Sequence, residues 1–335
     1  MAKLYKKIVL TGACGTLGME IRETLASLTD ELLSVDIVDA PATLFPNETF
    51  TKADCAILDE VLPLMKGANI AVHFASIPDE RPFEDLLGPN FLSSYNVWEA
   101  GHRHGVQRVI YASSVHAVGM VENSAGANLD VDHAPDTFYG LAKCFSEDLG
   151  KLYWTKRGME SVHLRIFSCT KVPQNVRALR TWLSFDDLRH LVERSVTATT
   201  TGFTVVWGIS NNDRAPVDNS KAAFLGYHPK DNAENWAETL YAAAQPADPS
   251  DQAQLRLGGP FATIPLGESG VAAIKAMSDT AATDQETKVE ITVETATKTI
   301  KDEPPQQPDI TAPSVTETPN APKLPSFLTK KSMNP

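Results

Sequence analysis

The chain has 335 residues, enough for one large domain and a tail, and its 42% apolar content is ordinary for a soluble globular fold. A formal net charge of -12 argues against nucleic acid or an anionic membrane as partner, and no apolar run approaches the roughly 20 residues of a membrane helix. The basic start, residues 1–7, precedes an apolar run too short for a signal peptide, so a cytoplasmic protein is expected, with Cys14, Cys55, Cys144 and Cys169 as reduced thiols.

In chain order, KKIVLTG reads as a first strand. It breaks into Gly12, Gly15 and Gly18 before LGMEIRETLASL, where Leu17, Ile21, Leu25 and Leu28 share one helix face. Between a strand and a helix, this spacing suits a dinucleotide. Gly12 permits the tight turn, Gly15 lets backbone approach a pyrophosphate, and Gly18 lets the helix pack on the strand. LLSVDIVD is the second strand. Asp36, 24 residues after Gly12, is placed to take ribose hydroxyls, with Asp39 as the alternative. A carboxylate there repels a 2′-phosphate, which favours NAD over NADP. Asp54 follows a short strand-like segment and faces the adenine end. IAVHFAS, RVIYASS, SVHLRIFSC and FTVVWGIS are the third to sixth strands. Apolar strands alternating with helices predict an α/β fold, a doubly wound parallel sheet of Rossmann type with a small C-terminal substrate-binding portion.

Near residue 270 the composition turns rich in Thr, Pro, Glu and Lys. The expected organisation is a cofactor-binding and catalytic domain over 1–268 and a disordered tail over 269–335. VEITV in that tail has strand-like alternation without a pairing partner, and LPSFLTKKSMNP reads as a solvated end. His73 is expected as a core or loop-edge histidine with its hydrogen bonds satisfied, and His102 and His104 at a helix end rather than on a metal, so no metal site is expected. Trp182, Trp207 and Trp236 read as packing residues, Asp186 and Asp187 as helix caps, and Asp218 and Asn219 as turn or subunit-contact residues.

The chemistry is carried by YASSVHAVG and FYGLAKCFSEDL. Tyr139 and Lys143 lie four apart on one helix face, and an ammonium beside a phenol favours the phenolate. The order of glycine loop, Ser at the fourth strand's end, then Tyr-x-x-x-Lys resembles the short-chain dehydrogenase/reductase superfamily. That resemblance makes Ser114 the hydroxyl on the reacting oxygen, with Ser113 a turn neighbour, Tyr139 the acid/base, and Lys143 the ribose ligand that tunes it.

HFASIPDERPFEDLLGPNF, LRIFSCTKVPQNVRALRTWLSFDDL, VVWGISNNDRAPVDNS and FLGYHPKDNAENW resemble the NAD-dependent uronate dehydrogenases, from the first strand to about Phe261. The resemblance implies oxidation of a uronic acid, galacturonate or glucuronate, at its anomeric carbon to an aldarolactone. It implies homo-oligomers, and substrate contacts at Ser114, His116, Ser168 and Arg177, the last for the carboxylate. Its cofactor set is Gly12, Gly15, Thr16, Leu17, Gly18, Asp36, Asp54, Cys55, Phe74, Ala75, Ser76 and Asn90, with Tyr139 and Lys143 shared. Three positions depart from the family pattern. Val115 replaces an Asn after the serine, Pro78 a Ser after the third strand, and Phe167 a Gly before Ser168; together they suggest a less hydroxylated acid. The alternatives are a dehydrogenase, epimerase or dehydratase acting on another hydroxy acid or sugar, and a non-catalytic NAD-binding protein.

Overall fold

The computed structural model describes residues 3–125, 127–244 and 251–271; VEITV and LPSFLTKKSMNP lie outside them. Seven strands form one sheet: β1 (Tyr5–Thr11), β2 (Thr29–Asp36), β3 (Glu48–Lys52), β4 (Ile70–His73), β5 (Arg108–Tyr111), β6 (Glu160–Ile166) and β9 (Phe203–Gly208). Two-residue strands β7 (Ser168–Cys169) and β8 (Trp182–Leu183) pair separately. The order in the sheet is β3-β2-β1-β4-β5-β6-β9, and every pairing is parallel. This is the expected doubly wound arrangement. The short strand-like segment before Asp54 is its edge strand, β3. Its first residue, Glu48, is a buried carboxylate held by Arg22 (2.7 Å), so it lacks the apolar signature of its neighbours.

Alternation along the strands feeds two cores. Ile8, Leu10, Ile70, Val72, Ile110 and Val162 face one side, with α1 (Thr16–Leu28) and α7 (Phe185–Thr197) over them. Val9, Ala71, Val109 and Tyr111 face the other, under α2 (Leu58–Leu64), α4 (Ser93–Arg103) and α5 (Phe138–Arg157). Each fully buried aliphatic side chain contributes about 1.5–3 kcal/mol. Strand order reverses between β1 and β4, so a crevice opens beyond their carboxyl ends, where ligands of such sheets bind.

Two local expectations are corrected. Asp186 and Asp187 do not cap α7. Ser184 does, accepting from Asp187 N (3.0 Å), while the Asp187 carboxylate accepts from Lys230 N and Asp231 N. His73 is in the core, but only Nδ1 has a partner, Thr11 Oγ1 at 2.7 Å; Nε2 has none, and burial pushes its pKa down to about 3.

Candidate active site

The crevice begins with the glycine loop. Gly12 has φ +74°, and a Cβ there would sit 2.5 Å from Ala75 N, in the turn after β4. A Cβ on Gly18 would overlap the Gly12 carbonyl oxygen, so this glycine serves the contact of α1 with the loop. A Cβ on Gly15 would meet only the Gly12 oxygen, at 3.4 Å. Nothing in the protein itself therefore demands glycine at Gly15, and its open side is where a ligand approaches. The N-terminus of α1, at Gly15, Thr16 and Leu17, has no side-chain cap and no acid in its first turn. Free N–H groups and the helix dipole are thus presented to an anion. These two observations fit a dinucleotide pyrophosphate.

Around that loop lie the other expected cofactor positions. Asp36 ends β2, and its carboxylate accepts from Cys14 N at 2.9 Å and Ile37 N at 2.8 Å. Asp39 is exposed and paired with Lys52 Nζ at 2.9 Å, so the two candidates differ in kind: one is built into the loop, the other is a surface ion pair. Asp54 and the buried Cys55 follow β3. Phe74, Ala75 and Ser76 follow β4. Asn90 is buried and committed to the backbone of Ile77 at both polar ends, 2.9 and 3.0 Å.

Ser113 and Ser114 follow β5 and have different partners. Ser113 Oγ donates to Glu147 (2.6 Å), a buried carboxylate that also accepts from Arg165 and whose pKa is pulled down to about 2 despite its burial, by His133 and Arg165. Ser114 opens the turn Val115–Val118 and accepts from His116 N at 3.3 Å. Tyr139 lies in the first turn of α5, which Thr137 caps (Gly140 N, 3.0 Å). Lys143 is one turn on, its Nζ 5.0 Å from the Tyr139 ring centroid and donating to Ala112 O (2.9 Å) and Ser76 Oγ (3.3 Å). Burial raises the Tyr139 pKa, and the Ser114 hydroxyl opposes that rise. The expectation that the Tyr139 pKa lies below its ordinary value is not met, because burial raises it; burial also pushes Lys143 down, to about 7.

The far wall comes from the loops after β6. Arg177 Nη1 donates to Ser168 Oγ (3.2 Å) and Nη2 to Leu257 O (2.7 Å). Burial lowers its pKa to about 10, so it stays charged at neutral pH. Arg177 faces no carboxylate within salt-bridge distance among the described residues, so its charge is left for a ligand. His116 spans the two walls. Its Nδ1 is 2.7 Å from Asp136 Oδ2, and its ring stacks on Phe261 at 4.1 Å and lies 5.6 Å from that of Tyr139.

With this geometry in view, the chain can be compared with known proteins. Residues 8–170 match the model of the NAD dependent epimerase/dehydratase family. A uronate dehydrogenase of Pseudomonas syringae pv. tomato is 39% identical over 265 residues, covering 79% of this chain and 96% of that protein. The chain belongs to the uronate dehydrogenase family. The crystal structure of uronate dehydrogenase from Agrobacterium tumefaciens aligns with a TM-score of 0.75 at 38% identity, over 78% of this chain and 98% of that one. A structure of a variant of that enzyme is complexed with NAD, and aligns equally well.

Against the family pattern, Val115 and Phe167 share one buried apolar cluster with Trp207, Ile209 and Leu257, while Pro78 is exposed. Two of the departures are therefore one packing feature. Trp182 packs edge-on to Trp236 (5.1 Å), and Arg165 lies over Trp207. Asp218 closes a turn on Ser220, and Asn219 bonds both backbone groups of Trp207. The sequence reading passed over Asp136, Glu80 and Phe261. The first lies three residues before Tyr139, where a helix start is the expected role; the others carry no local pattern.

Proposed function

We propose that the protein oxidises the C1 hydroxyl of a uronic acid, galacturonate or glucuronate, to an aldarolactone with NAD. The observation that carries this reading is Arg177, a half-buried guanidinium with no carboxylate within salt-bridge distance among the described residues, on the Ser168 side of the site that also holds Ser114 and Tyr139. Its planar donors match the two oxygens of a sugar carboxylate. NAD, held at Gly12–Gly18 and Asp36, supplies the hydride acceptor. The rest is done by the chain's own residues. Ser114 Oγ donates to the C1 oxygen, Tyr139 Oη takes the C1 hydroxyl proton as phenolate, and Lys143, one helix turn on, binds the nicotinamide ribose beside it. Ser168 orients Arg177, and His116 lies over the sugar. Asp36 supports NAD over its 2′-phosphorylated form by like-charge repulsion.

The test is NADH formation by purified protein with NAD and, separately, galacturonate, glucuronate and neutral hexoses. Turnover confined to the uronates is expected; turnover of neutral sugars alone would overturn the role of Arg177. One observation favours a second reading, a less hydroxylated acid sugar: Val115 and Phe167, next in the chain to Ser114 and Ser168, belong to one buried apolar cluster. Deoxy uronates preferred over the parent acids would select it.

The homo-oligomer is supported by α5, where Leu141, Phe145 and Leu152 are exposed on one face beside Tyr95 of α4. Asp148 and Lys151 rim this stripe, so a two-fold related second copy would set opposite charges against each other. Sedimentation of Phe145→Lys as a smaller species than the native protein is the expected result.

A further inference from the structure

Asp79 and Glu80, in the loop after β4, are 4% and 0% exposed, yet neither belongs to the cofactor cradle or to the set of Ser114, Tyr139 and Lys143. Among the described residues Glu80 faces no cation within salt-bridge distance. Its oxygens are taken by two backbone N–H groups. Oε2 accepts from Tyr139 N (2.7 Å) and Oε1 from Gly267 N (2.9 Å). Asp79 accepts from Ser269 Oγ (2.5 Å) and Val271 N (3.1 Å), and is also paired with Arg81. The two acids thus bind the chain at Gly267, Ser269 and Val271, three anchors within five residues.

That anchored stretch continues the segment that closes the site. From Leu257 on, the chain accepts from Arg177, pairs Gly258 N with Gly119 O (2.9 Å), and lays Phe261 on the His116 ring. Gly270 packs against the Phe261 ring, with no room for a Cβ. The contacts therefore run in series: carboxylate pair, Gly267–Val271, Phe261, His116.

We propose that Glu80, with Asp79, is a positioning residue for the substrate pocket: the pair latches residues 267–271, and so holds Phe261 and the Leu257 carbonyl against His116 and Arg177. The identity of the ligand rests on the uronate reading above; the latch does not. Because Glu80 also holds the Tyr139 N–H, one carboxylate sets both the closing segment and the start of the helix that bears the phenol. Apart from the backbone N–H of Tyr139, the latch touches none of the residues expected to hold NAD. Its loss therefore acts on the acid sugar and spares NAD.

The experiment compares wild type, Glu80→Gln and Ser269→Ala by amide hydrogen exchange across 257–271, by KM and kcat for galacturonate, and by Kd for NAD. Gln keeps the shape but offers one acceptor where two donors converge. Ser269→Ala loosens the latch far from Tyr139 and serves if the first variant folds poorly. Expected for Glu80→Gln are about tenfold faster exchange in this segment and about tenfold higher KM, with the Kd for NAD within about twofold of wild type. Ser269→Ala should move the same quantities in the same direction by less. Unchanged exchange in both variants would overturn the latch, as would a KM and NAD Kd that rise together with a lowered Tm, the signature of a merely structural role. A wild type inert towards every uronate would sink the uronate reading instead, and exchange alone would then decide the latch: faster in the variants supports it, equal overturns it.

Discussion

The cofactor cradle and the acid-sugar pocket share one rim of the sheet but draw on very different lengths of chain. The phosphate-facing core of the cradle comes from the turn after β1, with Asp36 as its far edge, all within 25 residues, and Asp54, Cys55 and Phe74–Ser76 flank it from the ends of β3 and β4. The pocket takes Ser114 and His116 from the end of β5, Tyr139 from α5, Ser168 and Arg177 from the loops beyond β6, and Phe261 from the closing segment. Local spacing alone builds the first. The second exists only once distant segments have docked. The cradle is accordingly the general part, and the pocket is where the expected departures from the family, Val115 and Phe167, stand next in the chain to Ser114 and Ser168.

The sharpest way to break that comparison is Tyr139→Phe. It removes the proton acceptor but leaves the glycine loop intact. We expect kcat to fall about 10²–10⁴-fold with NAD Kd unchanged, read by steady-state NADH formation and cofactor titration. Wild-type activity should also depend on pH in a stated sense. The base form of Tyr139 is required and burial raises its pKa, so kcat/KM should climb with pH across the neutral-to-alkaline range. A profile that falls over that range would remove Tyr139 as the base.

Next in size is Arg177. Arg177→Ala should raise KM for galacturonate about 10–100-fold, with NAD Kd unaffected, since a charged hydrogen-bond pair is lost. Arg177→Lys should recover little of this, because an ammonium cannot replace the planar pair of donors that reach Ser168 and Leu257. Equal KM values in wild type and Arg177→Ala would place the carboxylate elsewhere.

How much of this was legible in the sequence follows the same division. Gly12, Gly15 and Gly18 are readable because their function is their spacing. The strands that build the two cores are readable because they are apolar runs. Tyr139 and Lys143 are readable as a pair only because a helix brings residues four apart together. Ser113 and Ser114 are adjacent and chemically identical. What separates them is Glu147, 34 positions away, and no local pattern announces it. The cap of α7 was misread because two aspartates follow Ser184, and the one that looks like a cap is bound to the backbone at Lys230 and Asp231. Glu80 meets Gly267 across 187 positions, beyond any periodicity. The Lys143 effect on Tyr139 failed for a different reason. Residue identity gives the sign of a charge interaction, whereas burial, which raises the Tyr139 pKa and lowers that of Lys143, is a property of the packed fold.

The smallest effect separates two glycines of the cradle. Gly18→Ala forces a methyl into the Gly12 carbonyl, where backbone must move, and should cost about 1–3 kcal/mol of stability. Gly15→Ala should cost under about 0.5 kcal/mol, because Gly15 has φ -68° and the nearest atom to its added Cβ is 3.4 Å away. Its methyl would instead stand where the pyrophosphate must approach the helix start, so NAD Kd should rise about tenfold. Thermal denaturation and cofactor titration on the two variants read both quantities. If Gly15→Ala binds NAD as wild type does, the cofactor does not cross α1 at Gly15. The loop would then be a tight strand-to-helix turn whose glycines answer only to the protein's own packing.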